Sequence, residues 1–163
     1  MLNDPRLLHV FVYGTLKRGY EHHRRLCGGF VEVIPARVRG RLYLLVDKGY
    51  PMLVVPPVSI VAHGTSDLPS DLIVFDEKQR TSAPAAHPHG GDWDAIEGEI
   101  LVFDDPTTRL IQLDSLEEFW PDGSGEYTRV MVWTEPPEPR LAWTYVAPAD
   151  WAPGRNHRLS NRF

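Results

Sequence analysis

The apolar residues of this chain fall in short runs, and the spacing inside most of them is that of strands. Leu7-Leu8-His9-Val10-Phe11-Val12 is apolar with β-branched and aromatic members, which reads as a buried strand. Residues 31–45 contain two extended runs. In the second, Val38, Gly40, Leu42 and Leu44 share one face, while Arg37, Arg39, Arg41 and Tyr43 share the other. Asp47-Lys48-Gly49 reads as a turn and residues 50–55 as the next strand, with Pro51 near its start, where a missing N–H is tolerated. Residues 96–103, 127–133 and 141–146 complete the series, the last two joined by a proline-rich connection. Only Leu110, Leu113, Leu116 and Phe119 make a clear helical stripe, in a helix expected over 109–119 and capped by Thr107 or Thr108. Residues 21–26 are polar and compatible with a second helix. The tail from Ala147 to Phe163 is aromatic, basic and weakly patterned. Strands therefore outnumber helices.

At 163 residues, the chain fits a single domain with a real core. Residues 56–89 fit no regular pattern, and Leu72-Ile73-Val74-Phe75 reads either as a short strand or as part of a packed excursion. A net charge of −5 argues against a nucleic-acid partner, which selects for a basic face. Cys27 is the single cysteine, so no intrachain disulfide can form. No apolar run approaches the roughly 20 residues of a membrane span, and residues 1–5 lack the pattern of a signal peptide. The expectation is a cytoplasmic protein without a membrane partner.

Where the first strand stops, Tyr13-Gly14-Thr15-Leu16 forms a small-residue turn that lets backbone amides approach a ligand closely. Other chemistries find little support. His22-His23 and His87-Pro88-His89 give neither an i,i+4 pair nor a cysteine-containing set, so no metal site is expected. Gly123-Ser124-Gly125 is not a nucleophile elbow, and no glycine-rich phosphate loop of a standard form is present. Cys27, next to Gly28-Gly29, reads as an inert thiol.

Four spaced motifs share an order with one known family. They are Tyr13-Gly14-Thr15-Leu16 ending the first strand, and a strand–Gly–Leu-Tyr unit followed by Tyr50-Pro51. Leu113-Asp114-Ser115-Leu116-Glu117 and then Glu126-Tyr127-Thr128-Arg129 follow, between a Gly-Glu-Ile-Leu-Val strand and a Trp-Thr-Tyr-Val strand. The pattern resembles the γ-glutamylcyclotransferase-like superfamily, which includes the AIG2-like proteins. The resemblance covers most of the chain and implies one α+β domain over residues 1–163, a small mixed β-barrel with a few flanking helices. Against the family, residues 56–92 read as an insertion.

The resemblance also implies a reaction: cyclisation of a small γ-glutamyl compound, releasing 5-oxoproline and an amine without cofactor or metal. The family's general acid/base matches Glu117. Tyr13, Gly14, Thr15 and Leu16 match its substrate cradle, which works mainly through backbone N–H groups. Tyr50 and Pro51 would form a wall, Tyr127 would line the pocket, and Arg129 is expected to make a structural ion pair. A carboxyl partly buried among Leu113, Leu116 and strand side chains would have its pKa raised. The chain departs from the pattern at Glu118, where the family typically has glycine. One step along a helix turns a side chain through about 100°, so the two glutamates cannot face one pocket equally. Glu117 is preferred, lying four residues after Leu113 and beside its stripe. The alternative is a non-catalytic small-molecule binding protein using the same cavity. A third reading is a related acyl-transfer or amide-cleaving enzyme acting on a γ-glutamyl tag in a biosynthetic pathway. Leaving group, pathway and oligomeric state are not legible in the sequence.

Overall fold

The computed structural model describes residues 6–13, 28–84 and 92–163. Eight strands are present there: β1 (Leu8–Val12), β2 (Glu32–Leu44), β3 (Pro51–Val54), β4 (Ala62–His63), β5 (Asp94–Phe103), β6 (Thr128–Trp133), β7 (Leu141–Val146) and β8 (His157–Arg158). Two helices, α1 (Leu68–Thr81) and α2 (Pro106–Leu116), and a 3-10 turn at Pro57–Ser59 complete the described elements. The sheet order is β3-β2-β5-β1-β7-β6-β4, with β8 added to β2. All pairings are antiparallel except β1 with β7, so the sheet is mixed.

The sheet curls into a half-barrel, bringing the end of β7 back to β3, where the Ala147 N–H donates to the Leu53 carbonyl at 2.8 Å. The alternation of side chains fills both sides of it. Phe11, Val38, Leu42, Leu53, Ile96, Ile100, Val130 and Val132 pack in the hollow. Leu8, Val10, Leu101, Phe103, Met131 and Trp143 point to the other face, where Leu72 and Phe75 of α1 and Leu110 and Leu113 of α2 cover them. Strands buried on both faces must be apolar throughout, as Leu8–Val12 and Leu141–Val146 nearly are.

Four local expectations change. The two runs within residues 31–45 are one 13-residue strand that continues through Pro35. Around Pro35, β2 has a strand partner only on its β5 side, because β3 joins from Arg41 onward, and such edges accept proline. Leu72–Phe75 is helical, not extended; it belongs to α1, whose cap Asp67 accepts from the Ser70 N–H at 3.2 Å. Helix α2 starts at Pro106 with Asp105 as cap, ahead of the threonines, since proline is preset for the first helical position. The weakly patterned tail contributes β8, and its Leu159 N–H donates to the Leu42 carbonyl at 2.7 Å. Among the described residues, no helix is long and apolar enough to cross a membrane.

Candidate functional site

Helix α2 stops at Leu116, three residues before the expected Phe119, and the way it stops sets the site. Glu117 is the C-cap. Glu118 follows with φ of 48°, in the left-handed region. The Glu118 N–H then donates to the Ser115 carbonyl at 3.3 Å, and the Phe119 N–H to the Asp114 carbonyl at 2.9 Å. Those two bonds define a Schellman motif, which normally places glycine where Glu118 stands. Phe119 and Leu113, the positions such a motif sets in hydrophobic contact, are both buried in the same core cluster. The two glutamates are therefore separated by a backbone reversal rather than by one helical step. Glu118 is exposed, whereas Glu117 keeps only a partly open face. Glu118→Gly relieves the left-handed strain, so its thermal melt is expected to show stability kept or raised by up to about 1 kcal/mol.

The chain beyond is folded back on this turn. The Glu126 N–H donates to the Glu118 carbonyl at 3.1 Å, and Phe119 pairs with Tyr127 in an isolated bridge. Gly125 permits it: a Cβ there would sit 1.9 Å from the Glu118 carbonyl oxygen.

Asp114, one turn before Glu117, fixes the helix to the sheet. The Arg129 guanidinium donates to both Asp114 oxygens, at 2.8 and 3.2 Å, and to Asp71 of α1 at 2.9 Å. Tyr145 of β7 adds its hydroxyl to Asp114 at 2.6 Å, and Thr65 donates to Asp71 from both its N–H and its hydroxyl. Arg129 is 0% exposed and lies against the rings of Phe119 and Trp143. Gly64 makes room for it, since a Cβ there would lie 2.7 Å from the guanidinium carbon. Burial pushes the Asp114 carboxyl up, and Arg129 and Tyr145 pull it back.

Around Glu117 the field is unusual. Tyr13, Tyr127 and Tyr145 all sense its charge, and among the described residues no cation or hydrogen-bond partner meets its carboxyl. Burial pushes it up to about 8, with the Glu126 carboxylate adding to the effect. The Tyr13 hydroxyl donates to the Tyr145 carbonyl at 2.6 Å and accepts from the Leu53 N–H at 3.3 Å. The Tyr127 hydroxyl donates to the Pro51 carbonyl, and the Tyr50 hydroxyl to Glu126, each at 2.7 Å. Lys48 also donates to Glu126. Beside Glu126 opens a cavity of about 530 Å³, with Lys48, Met52, Pro148 and Trp151 in its lining.

A carboxyl whose folded pKa is raised stabilises the fold fully below the unfolded glutamate range and loses that contribution as pH rises through the folded value. For Glu117 the window runs from the ordinary 4.5 to about 8. Glu117→Gln keeps the neutral shape at every pH. Urea unfolding is therefore expected to show the variant more stable than the parent at pH 9, by up to about 5 kcal/mol for the full window, and equal to it near pH 4.

Of the residues singled out in the sequence, Glu117, Tyr13, Tyr50, Pro51 and Tyr127 come together at this end of the sheet, and Arg129 makes its ion pair beneath them. Gly14, Thr15, Leu16 and Cys27 lie outside the described residues, as do the two histidine pairs. Among the described residues, no group of three or more His, Cys, Asp or Glu side chains is placed to hold a metal. Asp71, Glu126, Lys48 and Tyr145 carried no functional expectation. They come from four separate segments, and only folding reveals their contacts.

Residues 10–68 and 68–162 match the family described as gamma-glutamyl cyclotransferase, AIG2-like, and the chain belongs to that family. The fold is similar to that of an AIG2-like protein from Mus musculus, at a TM-score of 0.50 and 22% identity, over 91% of this chain and 82% of that one. A uropathogenic E. coli-specific protein, c4763, aligns at a TM-score of 0.47 and 16% identity, over 95% of this chain and 87% of that one. No curated protein matches by sequence.

Proposed function

We propose that this chain is a γ-glutamyl cyclotransferase-type enzyme, acting on a small γ-glutamyl compound with Glu117 as general acid/base. One observation carries the reading: a carboxyl with a partly open face, held at a helix cap among Tyr13, Tyr127 and Tyr145, with its proton affinity raised to about 8. A base of that strength can take a proton from a substrate ammonium near neutrality and return it within the same turnover.

The reaction balances without any added reagent. Glu117 accepts a proton from the α-ammonium, and the freed amine attacks the γ-carbonyl carbon of the same molecule. The new C–N bond closes a five-membered ring, and negative charge gathers on the carbonyl oxygen. As the oxygen reforms the carbonyl, the original amide C–N bond breaks. Glu117 then returns its proton to the leaving nitrogen, and the second surplus proton of the ring nitrogen passes to the departing amine as well, so the products are the neutral lactam and an ammonium. Both reacting groups already belong to one substrate, so the protein's contribution is a folded pose, a proton acceptor and donors for the oxyanion. By the family resemblance, backbone N–H groups of Tyr13, Gly14, Thr15 and Leu16 would supply those donors. Tyr50 and Tyr127 have committed their hydroxyls to Glu126 and the Pro51 carbonyl, so their rings serve as walls. The leaving portion would extend toward the cavity beside Glu126. A cytoplasmic location belongs to the same proposal.

The experiment is mass-spectrometric detection of 5-oxoproline from a panel of γ-glutamyl amines, amino acids and peptides. Turnover of any of them supports the reading, and the best substrate identifies the leaving group. A folded protein that turns over none, yet protects one from dialysis, points instead to a binding protein.

A further inference from the structure

Glu126 stands where no sequence motif gives it a role, yet both its backbone and its carboxylate are tied into the site. Its backbone is tied to the residue after Glu117 by the N–H bond to the Glu118 carbonyl. Gly125 before it admits no side chain. Its carboxylate is tied as well: one oxygen, Oε1, accepts from both the Tyr50 hydroxyl and Lys48. The Lys48 side chain is half exposed, while that of Glu126 is only 16% exposed. A carboxylate is thus fixed beside the proposed base by contacts from two separate parts of the chain, with a solvent-facing ammonium partly neutralising it.

We infer that Glu126 is a positioning residue whose fixed negative charge strengthens Glu117 as a base, and that Lys48 moderates that charge from the rim of the cavity. The inference rests on the cyclisation reading for its purpose, but the coupling itself is a property of the free protein. Two negative charges close together in a poorly solvated place disfavour each other, so the one without a cation holds its proton. Glu126 is the one with a cation, and Lys48 and Tyr50 hold its carboxyl below the usual range despite burial. Among the described residues, the groups facing this pair are Glu118 from the turn after α2, Tyr13 after β1, Lys48 and Tyr50 before β3, Tyr127 before β6 and Tyr145 of β7, and of these only Lys48 is cationic.

This arrangement makes the two substitutions act in opposite directions. Glu126→Gln removes the negative charge and keeps an oxygen for Tyr50, so Glu117 becomes a weaker base. Lys48→Met leaves the Glu126 charge unmoderated, so Glu117 becomes a stronger one. A merely structural role for the Lys48–Glu126 pair would weaken the site in both variants and move the proton affinity the same way or not at all.

The measurement is the carbon-13 titration of the Glu117 side-chain carboxyl by NMR in the free protein, assigned by its loss in Glu117→Gln. The midpoint is expected to fall by about one pH unit in Glu126→Gln and to rise by a few tenths in Lys48→Met. Lys48 is on the surface, so its variant reports even where Glu126→Gln folds poorly. Midpoints that stay at the parent's value, or move in the same direction, overturn the inference. Opposite shifts without 5-oxoproline formation would leave the coupling standing and count against the cyclisation alone.

Discussion

Replacing Arg129 with methionine is expected to cost about 3–5 kcal/mol of stability at neutral pH, the largest effect of any single change outside the proposed reaction. The guanidinium is 0% exposed and bridges two carboxylates, Asp71 from α1 and Asp114 from α2, on the face of the sheet that both helices cover. Methionine fills much of the space but leaves two buried acids facing each other without a cation. Their folded-state proton affinities then rise, so the variant loses stability as pH increases and regains part of it in acid. Urea unfolding at pH 4.5 and 7.5 checks this: the gap to the parent should shrink at the lower pH. Lysine is no substitute, since a single ammonium cannot fork onto Asp114 while also reaching Asp71 and the Thr65 carbonyl. Losing this tie also loosens Asp114 and with it the helix end that presents Glu117, so catalysis should suffer alongside stability.

Glu117→Gln is expected to lower turnover by at least about 100-fold, and by as much as about 10⁴-fold, the range for loss of a positioned general base. The amide keeps the size of the neutral acid and its place at the helix cap, so the fold should hold and substrate should still bind. What is lost is the acceptor for the ammonium proton. Without that step the amine has no lone pair with which to attack. Glu118→Gln, on the exposed side of the Schellman turn, should keep most of the activity.

Much of this arrangement is legible in the sequence. Val10, Phe11 and Val12, and the alternating residues of 38–44, declare strands because their side chains must fill both faces of a curled sheet. The stripe Leu110, Leu113 and Leu116 gives α2 for the same reason at helical spacing. Helix α1 is harder: Leu72-Ile73-Val74-Phe75 is a short apolar run that suits either element, and only Asp67 and Pro69 before it point to a helix start. Residues 31–45 read as two runs, but Pro35 sits where β2 has a strand on one side only, and the strand continues through it. The preference for Glu117 over Glu118 is reached in the sequence through helical facing. The structure separates the two residues by a left-handed turn instead, at the position where the family pattern has glycine. The surroundings of Glu117 beyond Tyr13, Tyr50 and Tyr127 could not be read. Glu126, Lys48 and Tyr145 are distant along the chain, and no local rule links a lysine in a turn to a glutamate 78 residues later.

The central claim is that Glu117 handles the proton of an intramolecular cyclisation. Its most direct measurement is the rate of 5-oxoproline release from the best γ-glutamyl substrate by the parent, Glu117→Gln and Glu118→Gln proteins, each confirmed folded by its thermal melt. Release by the parent and by Glu118→Gln, with Glu117→Gln reduced at least 100-fold, is the result expected. Release that survives Glu117→Gln at the parent's rate would contradict the account.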